Sequence, residues 1–412
     1  MLRFAPSPMK EMQLSDLRVA VINYLIAQQQ KDRFVVRIDD GSAPENMQGK
    51  DTEVMMILEK FALKHDGVHH QSEHRGIHQT LAIRLLQEDK AFICQCDASL
   101  DCCVGECERL ERPEYAKLKE QGDPFVVRIK APMEDIVFED RFFGQQVGAV
   151  ETLAFVILDQ AGSPSSTFAT ACEDMLGNID KIIQKKQYLP ETPKQIHIKN
   201  SLGYQTDTSY AHLSEVHQDC SVRSLLEQGF IPDAILNYLL CLGNQALNQE
   251  IFTLPQAVEW FDLDALSSSP AQVEMNVLRE INRAHLLRMD DRDLSTLFGF
   301  ADADIGKLAK CYLDDEVSTT VALAERIEPI FRPKSFDGVQ GEVKRLLSDL
   351  IFKAPYFEQF DALLAYLIQE SGLDQDQIET PLRSLLTGSD QSAPALQEIY
   401  PYIKSYLLEV AS

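Results

Sequence analysis

The chain has 412 residues, and 39 Lys+Arg against 64 Asp+Glu leave a formal charge of −25. Hydrophobic residues at 45% and charged residues at 25% are the composition of a globular protein of about two to four domains, which excludes a disordered chain, a collagen and a coiled-coil rod. No run approaches the roughly 18 apolar residues of a membrane span, Met1–Lys10 lacks the apolar core of a secretory signal, and the acidity argues against a generic nucleic-acid coat.

In chain order, Leu2–Ala5 reads as a short strand stopped by Pro6 and Pro8. Asp16–Gln29 has apolar residues at helical spacing, and Phe34–Ile38 reads as a buried strand followed by Asp39-Asp40-Gly41. Thr52–Leu63 and Ile77–Gln87 are amphipathic helices, and Ala91–Cys94 is a strand again. This is the βαβ rhythm of a parallel nucleotide-binding sheet. From Pro124 the texture becomes a mixed α+β segment, with strands at Phe125–Ile129, Ile136–Phe138 and Phe155–Leu158. Beyond Gly243 the spacing predicts helices almost to the end, among them Met275–Leu287, Asp302–Cys311, Phe357–Ser371 and Ala395–Val410.

Nine cysteines are present, and Cys94, Cys96, Cys102, Cys103 and Cys107 are clustered. Without an export signal they point to a reducing cytoplasm rather than to disulfides. Tetrahedral zinc needs four soft ligands on short loops. Cys94, Cys96, Cys103 and Cys107 are the preferred set, Cys102 is an equal candidate for the third place, and the bland alternative is a thiol-rich loop without metal. The run His65, His69, His70, His74 and His78 is read as a solvated helix entry rather than a metal tract.

Arg3-Phe-Ala-Pro-Ser-Pro8 resembles the opening of glutamyl-tRNA synthetases, and further matches follow in that family's order: Arg37-Ile-Asp-Asp40, Gln71-Ser-Glu73, Cys94-Gln-Cys96, Thr192-Pro-Lys-Gln195, Ala211-His-Leu213 and Gly229-Phe-Ile-Pro-Asp-Ala-Ile-Leu-Asn-Tyr-Leu239. The resemblance spans nearly the whole chain. It implies an α/β fold: a class I, Rossmann-like catalytic domain with an α+β insertion, then an all-α stem-contact and anticodon-binding region. The implied boundaries are 1–90 and 184–222 for the two catalytic halves, 91–183 for the insertion of acceptor-stem and zinc type, 223–290 for the stem-contact helices and 291–412 for the anticodon-binding-like domain.

Enzymes of that family activate glutamate with ATP and Mg, then transfer it to tRNA. By resemblance, their His-Ile-Gly-His box falls on Gln13-Leu14-Ser15-Asp16. The imidazole is replaced, the glycines have gained side chains, and Asp16 sets a carboxylate near the expected phosphates; the plain reading of Ser15 or Asp16 is an ordinary helix N-cap. The mobile Lys-Leu-Ser-Lys loop is replaced by a shorter connection, Ser214–Ser224, whose only basic residue is Arg223. For the amino acid, Arg3, Ala5, Ser7 and Asp39 stand at the expected positions. Ser166 and Thr167 replace a Tyr-Asn pair on a strand, and Gln184 replaces an arginine whose fork would pair with a substrate carboxylate. Lys185 and Lys186 read as a solvated pair.

The resulting expectation is a glutamyl-tRNA synthetase-like paralogue with lost or weak adenylate formation and no intact catalytic residues, kept for binding tRNA or for regulation. The alternatives are an active ligase using ATP and Mg, with Arg18 or Lys10 as its phosphate cation, and an interaction scaffold that has left tRNA and pairs with another synthetase or partner protein. Other chemistry at Asp16, Asp39, Asp40, His212 or His217 is a remote fourth. A cytoplasmic monomer without membrane association is expected. Between Ser201 and Phe300 there are 5 basic and 14 acidic residues, so acidity is concentrated where ATP and the tRNA inner corner would need cations.

Overall fold

Strand β1 (Leu2–Phe4) ends just before Pro6 and Pro8 and runs parallel to β2 (Phe34–Ile38), with Leu2 opposite Phe34. The helix joining them, α1 (Leu14–Gln30), carries Leu14, Leu17, Val21, Ile22, Leu25 and Ala27 fully buried. Its polar Arg18 and Asn23 are buried as well, so α1 is enclosed on nearly every side. Lys31 ends it in the left-handed region, at φ 52°. Helix α2 (Lys50–Lys60) leads to β3 (Gly67–His70), which pairs parallel with β2. β3 is the third strand of this parallel sheet and is absent from the sequence expectation, which gave that place to Ala91–Cys94. Helix α3 (Arg75–Gln87) follows a 3-10 turn at Gln71–His74.

β4 (Ala91–Cys94) instead pairs antiparallel with β5 (Val126–Ile129), and β5 pairs with the later β8 (Val156–Leu158). A second sheet has the order β7-β6-β10-β9, built from β6 (Ile136–Asp140), β7 (Gly144–Gly148), β9 (Lys181–Lys185) and β10 (Ser209–Leu213). Here β6 and β7 form a hairpin, while β10 runs parallel to both β6 and β9. Asn23 Nδ2 of α1 donates to the Ile183 carbonyl of β9 at 3.0 Å, which fastens α1 to this sheet. Helices α4 (Ser166–Leu176) and α5 (Thr192–Ser201) pack Phe168, Ala171 and Ile198 onto β5 and β8.

The computed structural model describes residues 1–41, 50–96, 103, 107–109, 117–118, 120–245, 251–338, 340–389 and 394–412. They divide into two units, Met1–Arg223 with Leu239–Val273, and Ser224–Tyr238 with Glu274–Ser412. The first holds the sheets above. The second is helical, with a core of Leu and Ile side chains such as Leu308, Ile327, Leu347, Leu363, Leu385 and Ile399. No helix among the described residues is long and apolar enough to cross a membrane.

Candidate active site and cysteine cluster

A helix N-terminus offers free N–H groups to an anion. At the head of α1 the protein uses them itself. Gln13, not Ser15 or Asp16, is the N-cap. Its N–H donates to Asp16 Oδ2 at 3.0 Å, while Leu14 N–H donates to the Cys220 carbonyl at 2.9 Å. Ser15 N–H donates to Asp219 Oδ1 at 3.2 Å, and Asp16 N–H turns back to the Gln13 carbonyl at 3.0 Å. Gln13 also bridges Ser221 in antiparallel fashion, and Val222 N–H donates to the Met12 carbonyl at 2.9 Å. The shortened connection therefore zips onto the first turn of α1 and places a carboxylate against it.

Lys185 is half-buried and paired. Its Nζ donates to Asp16 Oδ1 at 2.5 Å and to Ser15 Oγ at 3.1 Å. Lys186 is half-buried with Glu215 at 3.9 Å. Beside them lies a cavity of about 250 Å³ lined by Ser15, Arg18, Lys185, Lys186, Glu215 and Asp219, with other residues. Sites for drug-sized ligands enclose roughly 300–1,000 Å³.

The expected glutamate-binding positions are partly assembled. Arg3 on β1 donates from Nε and Nη2 to the two Asp174 oxygens at 2.9 and 3.1 Å, and from Nη2 to Gln184 Oε1 at 3.2 Å. Arg37 donates to Asp174 at 2.7 Å and to Asp39 at 2.6 and 3.2 Å. Burial would push the Asp174 carboxyl up, but the Arg3 and Arg37 charges outweigh it and hold the group at about 2. Two arginines thus face two carboxylates, and the Arg3 fork is taken. Ala5 is half-buried and Ser7 exposed. Ser166 and Thr167 are not on a strand. They open α4 behind the Ser165 N-cap, with Thr167 Oγ1 donating to Glu191 at 2.6 Å and Ser166 exposed. No hydrogen bond or ion pair joins Ser7, Ser166 or Thr167 to Arg3 among the described residues.

Behind Gln184, buried His212 donates from Nδ1 to Asp140 at 2.6 Å, so its Nε2 accepts from Gln184 at 2.9 Å, with Thr192 Oγ1 at 3.1 Å. This locks β6, β9, β10 and α5 together. Asp40 accepts from the N–H and hydroxyl of Ser72 at 2.8 and 2.7 Å. Both are structural. The histidine run is not a solvated helix entry: His69, His74 and His78 converge on Glu173 at 3.5, 3.0 and 2.7 Å, and His78 is fully buried. Burial would push Glu173 up, but the hydrogen bonds from His69, His78 and His74 hold it well below the ordinary carboxylate range. Asp174, Asp140 and Asp219 carry much of this geometry, and none stood out in the sequence. Asp174 had a signal, an acidic residue in the apolar run Phe168–Leu176. Asp219 had none, because an acidic loop residue normally reads as solvated.

At the end of β4 the thiols of Cys94, Cys96, Cys103 and Cys107 all lie within 4.8 Å of one another. Cys94–Cys103, Cys96–Cys103 and Cys96–Cys107 are separated by 3.6, 3.8 and 3.8 Å. A tetrahedron with Zn–S of about 2.3 Å has edges of about 3.8 Å, so the donor set fits such an ion. Cys102 lies outside the described residues.

Parallel strands that cradle a buried first helix, interrupted by an antiparallel segment, define the catalytic fold of class I aminoacyl-tRNA synthetases. The family description "tRNA synthetases class I (E and Q), catalytic domain" matches residues 1–280. Over the full length of both chains, this one is 49% identical to "Glutamate--tRNA ligase 2" of Sulfurovum sp. (strain NBC37-1) and 38% identical to "Glutamate--tRNA ligase 2" of Sulfurimonas denitrificans. The Sulfurovum alignment runs over 431 positions, 19 more than the chain's 412 residues. A crystal structure of a glutamate tRNA ligase from Elizabethkingia meningosepticum in complex with its amino acid shares the fold, with TM-score 0.79 at 21% identity, covering 99% of this chain and 97% of that one. The chain belongs to the glutamyl-tRNA synthetase family.

Proposed function

We propose that this chain keeps the synthetase scaffold but forms little or no glutamyl-adenylate, and acts as a tRNA-binding or regulatory paralogue. The observation that carries this reading is the head of α1. Its first-turn N–H groups are consumed by Asp16, Asp219 and backbone carbonyls, where a phosphate would need them free. Lys185 is neutralised by Asp16, and Arg3 by Asp174. A further carboxylate, that of glutamate, would meet arginines already paired with Asp174 and Asp39. In this reading the stem-contact segment 223–290 and the anticodon-binding-like segment 291–412 carry the tRNA contacts. Cys94, Cys96, Cys103 and Cys107 hold a structural zinc ion, which fastens the loop after β4. The protein works as a cytoplasmic monomer.

A second reading, an active ligase using ATP and Mg, draws support from relatives that carry the name glutamate–tRNA ligase at 35–49% identity over the whole chain. It needs a phosphate cation. Lys10 is exposed, and Arg18 is 1% exposed beneath the first turn of α1. Charging of unfractionated tRNA with labelled glutamate separates the two readings. No charging, together with a tRNA gel shift at low salt, is expected; measurable glutamyl-tRNA overturns the proposal, and absence of a shift removes its tRNA-binding part.

A further inference from the structure

Successive residues of a strand face opposite sides of the sheet. In β6 this puts Asp140 on the side of the His212 lock, and Val137 and Glu139 on the other. On that other side, the sheet and the C-terminal end of α1 enclose a cavity of about 860 Å³, whose wall Phe261 and Leu263 complete. Every residue that lines it belongs to the first unit. Ile26, Ile183, Phe261 and Leu263 are buried in this wall, and Val137 beside them is 54% exposed. The volume lies within the roughly 300–1,000 Å³ of small-molecule sites, and an apolar wall with a few polar groups is their usual lining. Charged groups line it too, and they are unequally paired. Arg141 is held by both oxygens of Asp264, and Lys181 by Asp32 at 2.9 Å; neither acid lines the cavity. The exposed carboxylates of Glu139 and Asp207 make no hydrogen bond or ion pair among the described residues. The cations are therefore committed, and these two acids are not.

We infer that this cavity is a second ligand site, one that binds a small organic amine: an apolar body against Ile26, Ile183, Phe261 and Leu263, and an ammonium at Glu139 and Asp207. An ammonium donates charge-assisted hydrogen bonds to carboxylates. A phosphate or a carboxylate would instead meet unpaired charge of its own sign, so neither a nucleotide nor an RNA backbone suits the place. Ion pairs at exposed carboxylates contribute little affinity. The apolar wall therefore supplies most of the binding, and the acids supply the choice of charge. The site lies across the sheet from Gln184 and His212, so it is separate from the place where glutamate and ATP are expected, and it stands whether or not the chain forms adenylate.

The test is calorimetric titration of the full chain with tryptamine, and with indole-3-acetate as a probe of the same ring and opposite charge, at constant ionic strength. Saturable tryptamine binding is expected, with indole-3-acetate about tenfold weaker. Glu139→Lys should weaken tryptamine about tenfold and remove the preference over indole-3-acetate, and Asp207→Asn should weaken tryptamine about threefold. The aspartate variant, which changes one exposed side chain by a single atom, keeps the test valid should Glu139→Lys fail to fold. No saturable tryptamine binding, equal binding of the two probes, or tryptamine binding unchanged in both variants overturns the inference. Pyrophosphate exchange on the same preparation reports separately on adenylate formation, so either conclusion can fail without the other.

Discussion

Asp219 serves the head of α1 as a cap does: it accepts from Ser15 N–H. Asp219→Ala should therefore cost about 0.5–2 kcal/mol, as loss of a cap does, measured by urea denaturation, and it should not create charging activity, because Leu14 N–H remains closed by the Cys220 carbonyl. Asp174 is more deeply committed. It is fully buried between Arg3 and Arg37, so Asp174→Ala leaves Arg3 without its anion and Arg37 with Asp39 alone, and a loss of about 3–5 kcal/mol is expected. Its pKa is depressed to about 2. A depressed carboxylate contributes stability that is present above its unfolded pKa and lost as pH falls through the folded one. Acid titration followed by circular dichroism should show Asp174-dependent stability vanishing between about pH 4 and pH 2, a step that Asp174→Asn lacks. The departure of Gln13, Ser15, Asp16 and Gln184 from the pattern that the family resemblance implies was legible in the sequence. Asp219 was not, because only the fold brings residue 219 to residue 15.

Among the elements, those with strong periodicity or apolar runs were legible: α1, β1, β2, β5 and most of the C-terminal helices. β3 was not, because Gly67-Val-His-His70 has a single apolar side chain and is only half-buried. α4 was misread at its start, where Ser166 and Thr167 stand in place of strand residues and the true signal was the Ser165 cap. The helix at Gln375–Thr387 is hard to read in the sequence because Pro381 interrupts the pattern, yet Pro381 is buried and the helix continues through it. The connection around Gly229 is set by backbone geometry: φ is +85°, and a Cβ there would lie 2.5 Å from Val321 N. Gly229→Ala should lower the stability of the helical unit by about 2–4 kcal/mol, read by thermal unfolding. At the end of β4, elemental analysis should find one zinc per chain. Cys96→Ser should lose the ion and lower the melting temperature; a metal-free native protein would contradict the assignment.

For the whole molecule, the family and the α/β-then-helical order follow from motifs spread over nearly the full length, and the full-length relatives bear this out. The charge of −25 is a weaker guide. It says nothing of fold, and its meaning lies in where it falls: Asp16, Glu215 and Asp219 gather beside the head of α1. The framework around that place has paired strands, a buried α1 and an Asp140–His212 lock, while the first-turn N–H groups of α1 are met by the protein's own groups. Glutamate-dependent ATP–pyrophosphate exchange, run with and without tRNA at saturating MgATP, tests this most directly. The account predicts no exchange above the no-enzyme rate in either condition; robust glutamate-dependent exchange, with or without tRNA, would contradict it.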